Sequence, residues 1–134
     1  MFPGNREIAS LLFGLTFLAT PAVAADMPKA ARACIACHTF EKGAPSKIGP
    51  NLFGVAGKPA ASVADFNKYG DDFLAAAATG LTWTDENLDA YIADPVPFLR
   101  KITGHASVRT YMITRIRRAD DRADIIEYLK SLKD

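Results

Sequence analysis

Residues Cys34-Ile35-Ala36-Cys37-His38 constrain this chain more than any other stretch, because Cys-x-x-Cys-His is the attachment signature of a c-type haem. A chain that carries it has to fold around a flat apolar ring. In a helical turn the two thiols, three positions apart, share one side. Both can then add to the vinyl groups of one protoheme, with His38 beneath the iron. A neutral imidazole binds a metal through one ring nitrogen and leaves its other N–H to be oriented by an acceptor. The motif therefore implies one covalent haem c, its iron, and the first axial ligand.

Two other chemistries use parts of the same motif. A zinc site needs more donors than this chain offers near Cys34. There are two cysteines and two histidines in all, and His105 lies far outside the three-to-five-residue spacing of a zinc-finger histidine pair. A redox dithiol of the thioredoxin kind sits in a βαβ context, and no strand pattern flanks Cys34 and Cys37.

The beginning of the chain says where it works. Arg6 closes a short polar start, Ile8 to Leu18 is an apolar run broken only by Ala, Ser, Gly and Thr, and Ala22-Val23-Ala24 supplies an A-x-A cleavage site. Residues 1–24 are expected to be a cleaved secretory signal peptide, with a retained anchor as the alternative. The run is short for a bilayer span, so no stable membrane insertion is expected. The remaining residues, 25–134, make one small domain, expected in the periplasm as a monomer. Export agrees with the cysteines, since haem is joined to such motifs outside the bacterial cytoplasm.

Sixteen basic and fifteen acidic residues leave a net charge of +1. Nucleic acid is not an expected partner: no basic stripe is interleaved with aromatics, and Arg115-Ile116-Arg117-Arg118 runs directly into Ala119-Asp120-Asp121.

Apolar positions recur at helical rather than alternating spacing, which predicts an all-α fold. Helices are expected from about Pro28 to Ala36, from Asp71 to Ala78 with a stop at Gly80, from Asp85 to Ala93 behind a Thr84 cap, and from Asp121 to Leu132. Asp94-Pro95 ends the third of these, and Pro95 and Pro97 are read as a break. Between the first and second helices, Gly43, Pro45, Gly49, Pro50, Gly54, Gly57 and Pro59 punctuate a loop so densely that order there needs something to wrap around. A haem would supply that core.

A six-coordinate iron needs a second ligand, and the candidates are Met27, Met112, His105 and, at high pH, a lysine. Met112 lies in a loop ahead of the last helix, from which the chain can fold back over the ring. A thioether is soft and neutral, so His/Met ligation raises the potential. Met112 as a plain core filler is the competing reading.

Beyond the pentapeptide, the chain resembles class I c-type cytochromes, in the cytochrome c2 and mitochondrial-like branch. Ile48-Gly49-Pro50-Asn51-Leu52-Phe53-Gly54-Val55 is similar to the family's Gly-Pro-Asn-Leu segment, and Pro50 stands twelve residues after His38, at the family's spacing. The resemblance implies that the Pro50 carbonyl accepts the imidazole N–H. Gly80-Leu81-Thr82-Trp83 is similar to a Gly-x-x-Trp segment whose indole bonds a haem propionate. Tyr91 matches a tyrosine near the methionine sulfur. Tyr69 and Lys58 resemble a propionate-binding tyrosine and the basic residue after the Gly-Pro-Asn-Leu loop. Met112 and the segment Arg122 to Leu129 look like the family's ligand loop and last helix.

The chain departs from the family's pattern in three places. Arg109-Thr110-Tyr111 precedes Met112 where Gly-Thr-Lys is usual. Thr114 stands where an aromatic is common, and Ala30 replaces an aromatic that packs on the last helix. A looser contact between first and last helices is the consequence expected from Ala30.

The resemblance implies a monohaem electron carrier cycling Fe(II) and Fe(III), not an enzyme. Its partners would be redox proteins: a membrane oxidoreductase or dehydrogenase, a terminal oxidase or a reaction centre. Lys42, Lys47, Lys58, Lys68 and Lys101 could rim an exposed haem edge. Two rivals stay open. A labile Met112 loop would give a peroxidase-like or gas-sensing protein, and His105 in place of Met112 would give a bis-His carrier of low potential.

Overall fold

The structure, a computed structural model, describes residues 25–134; the expected signal peptide, residues 1–24, lies outside the described residues. A short 3-10 helix, Lys29–Cys34, leads into four α-helices: α1 (Asp71–Ala78), α2 (Asp85–Ala93), α3 (Pro95–Thr103) and α4 (Ala119–Ser131). No strand forms among the described residues, only an isolated antiparallel bridge between Pro59 and Thr82. The all-α expectation holds.

The first helix differs from its expected form. It is of the 3-10 type and ends at Cys34, because the chain turns tightly at the cysteines: the Cys34 carbonyl accepts from both the Cys37 N–H (3.1 Å) and the His38 N–H (3.0 Å). Short 3-10 turns of this kind serve as connectors where a longer helix has no room. Ala31, with no exposed surface, seats this segment in the same core as α4. The small side chains of Ala30 and Ala31 let the two elements touch directly. The aromatic contact to the last helix comes instead from Phe40, whose ring centroid is 5.6 Å from that of Tyr128.

α1 and α2 stand where the sequence places them. Alanine supplies half of α1, with Asp71 and Asp72 in the first turn, where acids complement the helix dipole. Thr84 caps α2, its hydroxyl accepting from the Asn87 N–H at 3.2 Å.

α3 corrects the expectation of a break at Pro95 and Pro97. Proline is tolerated in a helix's first turn, where its missing N–H has no partner to lose. Asp94 caps this helix, its Oδ1 accepting from the Val96 N–H at 3.3 Å, and Gly104 closes it at φ +73°. Phe98 and Leu99 turn into the core.

α4 begins two residues earlier than expected and buries Ile125, Ile126, Tyr128 and Leu129. Arg122 fixes its entry. Its guanidinium donates to Asp89 Oδ1 on α2 (2.7 Å) and to the carbonyls of Ile116 (3.0 Å) and Arg117 (2.9 Å).

Candidate functional site

One cavity takes in most of the residues singled out from the sequence. Cys34, Cys37, His38, Pro50, Tyr69, Trp83, Tyr91 and Met112 all line it, and Val55, Leu88, Ile92, Ile125 and Leu129 make much of the rest of its wall apolar. The turn at Cys34 brings both thiols and the imidazole to this space, and neither thiol is in a disulfide.

His38 is held from behind. Its Nδ1 lies 2.6 Å from the Pro50 carbonyl oxygen, and since a carbonyl can only accept, Nδ1 carries the proton and Nε2 keeps its lone pair. Burial is the main force pulling the His38 pKa down, with Lys47 adding to it and the Pro50 bond opposing. Burial thus favours the neutral ring, the form in which imidazole binds metal. Pro50 is itself carried on a loop tied by Asn51, whose side-chain amide donates to the carbonyls of Glu41 (2.9 Å) and Ala44 (2.8 Å) while its oxygen accepts from the Phe53 N–H (2.9 Å).

Burial, followed by the neighbouring Cys37, pushes the Cys34 thiol up. Reactive dithiols need the opposite shift. Among the described residues no group of three or more His, Cys, Asp or Glu could hold a metal ion between them, so a zinc site gains no support either.

Aromatic rings build another part of the wall. Tyr69 stacks on Phe73 with centroids 5.2 Å apart, and Trp83 lies 5.1 Å from Tyr91 and 6.4 Å from Phe98. Burial pushes the Tyr91 phenol up to about 12, against a hydrogen bond with the Thr110 side chain. Phe98, from α3, does not line the cavity itself but packs behind Trp83 and Tyr91.

Met112 is half-buried at the cavity. The Thr110 hydroxyl accepts from the Met112 N–H at 3.2 Å and lies 3.3 Å from the Met112 carbonyl. Thr110 is the one residue of Arg109-Thr110-Tyr111 shared with the usual Gly-Thr-Lys, and it is the one that bonds the methionine backbone.

His105 is not brought to the cavity. Its ring is half exposed and its Nδ1 bonds Asp72 Oδ1 at 2.9 Å. Lys58 also stays outside: its side chain is exposed, while its backbone pairs with Trp83. Of the other lysines, Lys68 lines the cavity, and Lys47 reaches the Ile35 carbonyl in the attachment turn. Lys42 pairs with Asp134, and neither it nor Lys101 lines the cavity.

The residues present fit a covalent haem. Two unpaired thiols and an imidazole held by a carbonyl share an apolar space with a thioether, groups that a covalent haem and its iron can use. Among the described residues, no helix is long and apolar enough to cross a membrane.

No protein-family model matches the chain. Individual proteins do. Cytochrome c2 of Rhodospirillum rubrum is 40% identical over 110 residues, covering 82% of this chain and 81% of that protein. Cytochrome c-550 of Novispirillum itersonii is 42% identical over 110 residues, covering 82% and 98%. The solved structure of cytochrome c2 from Rhodospirillum centenum superposes with a TM-score of 0.72 at 36% identity, covering 78% of this chain and 93% of that one. Likeness at this level of identity, over most of both chains and in sequence and fold together, reaches beyond shared architecture: the chain belongs to the cytochrome c family, in its cytochrome c2 group, a family of monohaem electron carriers with one covalently bound haem c.

Proposed function

We propose that this cytochrome works in the periplasm, after cleavage behind Ala24, as a single-electron shuttle with His38 and Met112 as the two axial ligands of its iron. The observation that carries the reading is the meeting of Met112 with His38 in one apolar cavity, the imidazole held through Nδ1 by Pro50. When bound, haem c supplies a one-electron Fe(II)/Fe(III) couple.

The chain's own residues set the conditions for that couple. Cys34 and Cys37 tether the ring, and Pro50 fixes the tautomer and orientation of His38. Thr110 holds the Met112 backbone, and Trp83 and Tyr91, backed by Phe98, wall the space against water. Tyr69 and Trp83 are the proposed donors to the propionates. Redox proteins are the partners, with a cationic edge at Lys68 and Arg109 beside the cavity mouth.

The absorption spectrum tests the ligand pair. Ferric protein is expected to show the weak far-red band of sulfur-to-iron charge transfer, and Met112→Ala is expected to abolish it. Absence of the band in wild type, or its survival in Met112→Ala, would overturn the assignment. A five-coordinate spectrum in wild type would favour the labile-loop alternative, and a bis-His spectrum lost in His105→Ala would favour His105.

A further inference from the structure

We propose that Asp72, in the first turn of α1, is the positioning residue that latches the Met112 loop closed. The inference rests on the His38/Met112 reading and extends it to a residue that touches neither ligand.

The geometry is specific. Asp72 Oδ2 accepts from the Arg109 backbone N–H at 2.7 Å, and Oδ1 bonds His105 Nδ1 at 2.9 Å. One carboxylate thus grips the loop at two points four residues apart, the second only three residues before Met112. From Arg109 the chain passes directly to Thr110, which bonds the Met112 backbone. A third contact lies beside these: a Cβ placed on Gly70, the residue capping α1, would sit 3.4 Å from the Tyr111 ring. The start of α1 and the segment 105–111 are therefore closely apposed.

The two bonds differ in weight. The Arg109 bond is a backbone donor to a charged acceptor, short and charge-assisted, and the Asp72 side chain is only 20% exposed. The His105 side chain is 51% exposed, so that arm is screened and weaker. The helix terminus behind Asp72 favours its charged form, and the Arg109 bond, then the His105 bond, hold its carboxyl below the usual range. Tyr111 and Ile113, on either side of Met112, are 80% and 85% exposed. With so little burial around it, the ligand loop depends on polar ties.

Two measurements on the complete haem protein test the latch. The first is binding of added imidazole, which has to displace Met112 from the iron, so its affinity reports how readily the loop opens. Asp72→Ala is expected to tighten imidazole binding about tenfold, the effect of losing one charged hydrogen bond. Asp72→Asn, which keeps one acceptor, is expected to fall between, and His105→Asn to change binding by less than about threefold. Asp71→Ala removes the same charge from the same turn but none of these bonds, and is expected to match wild type.

The second measurement is amide hydrogen exchange. In Asp72→Ala the Arg109 and Met112 amides are expected to exchange faster while those of α4 do not change. Imidazole affinity in Asp72→Ala within twofold of wild type, or exchange accelerated equally throughout the protein, would overturn the latch. Should Asp72→Ala fail to fold, Asp72→Asn decides by the same two readouts. If wild type lacks the sulfur-to-iron band, the ligand assignment fails separately, and Arg109 exchange still judges the latch.

Discussion

Gly49 shows how closely the site is fitted at the scale of single residues. A Cβ built there would lie 2.8 Å from His38 Nδ1 and 2.9 Å from Nε2, closer than real Cβ atoms come to a neighbour. Glycine is needed here for the approach of its backbone to the imidazole face, not for an unusual φ. Gly49→Ala is expected to push the ring off the Pro50 carbonyl and destabilise the haem protein by about 1–3 kcal/mol, as overpacking does. A urea unfolding midpoint equal to wild type would contradict this. The attachment turn and Pro50 were legible because each belongs to a short stretch with fixed spacing, whereas Met112 was read from its place in the loop ahead of the last helix. Asp72 was not, because its partners lie 33 and 37 residues away and only folding brings them together. Lys58 misled for the opposite reason: its place in a familiar segment suggested a role for the side chain, whereas its backbone does the holding.

Among the elements, the order of helices could be read from capping residues and periodicity, with one omission. Pro95 and Pro97 drew attention as breakers, yet Asp94 ahead of them and Gly104 behind form the start and stop of a helix. The signal was present and the prolines outweighed it. The long loop after His38 has its own fastening. Asp65 accepts from the Ser46 N–H (2.9 Å) and hydroxyl (3.0 Å), and Ser46 in turn accepts from the Asn51 N–H (3.0 Å). The two bonds from Ser46, backbone first, hold the Asp65 carboxyl below the 3.8 of an ordinary aspartate. A group whose folded pKa is depressed contributes above its unfolded pKa and loses its effect as pH falls through the folded value. The Ser46 amide is thus expected to stay protected from hydrogen exchange at neutral pH and to lose protection below pH 3.8. Asp65→Asn should lack that acid step; an identical pH profile in the variant would refute it.

For the molecule as a whole, the secondary structure is too short to stand by itself. Among the described residues the α-helices run to 8, 9, 9 and 13 residues, and isolated helices below about 12–15 residues are marginal in water. Val55, Leu88, Ile92, Ile125 and Leu129 turn apolar surface to the cavity, where a haem would add to the packing that such short helices need. Chain produced without haem is therefore expected to show little helical circular dichroism and no cooperative thermal transition. A sharp transition in that material would show that protein packing alone suffices.

The bridge beside Pro59 has a consequence for how such a protein can change over generations. Trp83 is held by main-chain bonds, its N–H donating to the Lys58 carbonyl at 2.9 Å and its carbonyl accepting from the Gly57 N–H at 2.8 Å. The Lys58 side chain takes no part and stands in solvent. Mutation can therefore rewrite the charge at position 58 while the indole keeps its place. Surface charge at such a position is free to vary without disturbing the wall of the pocket.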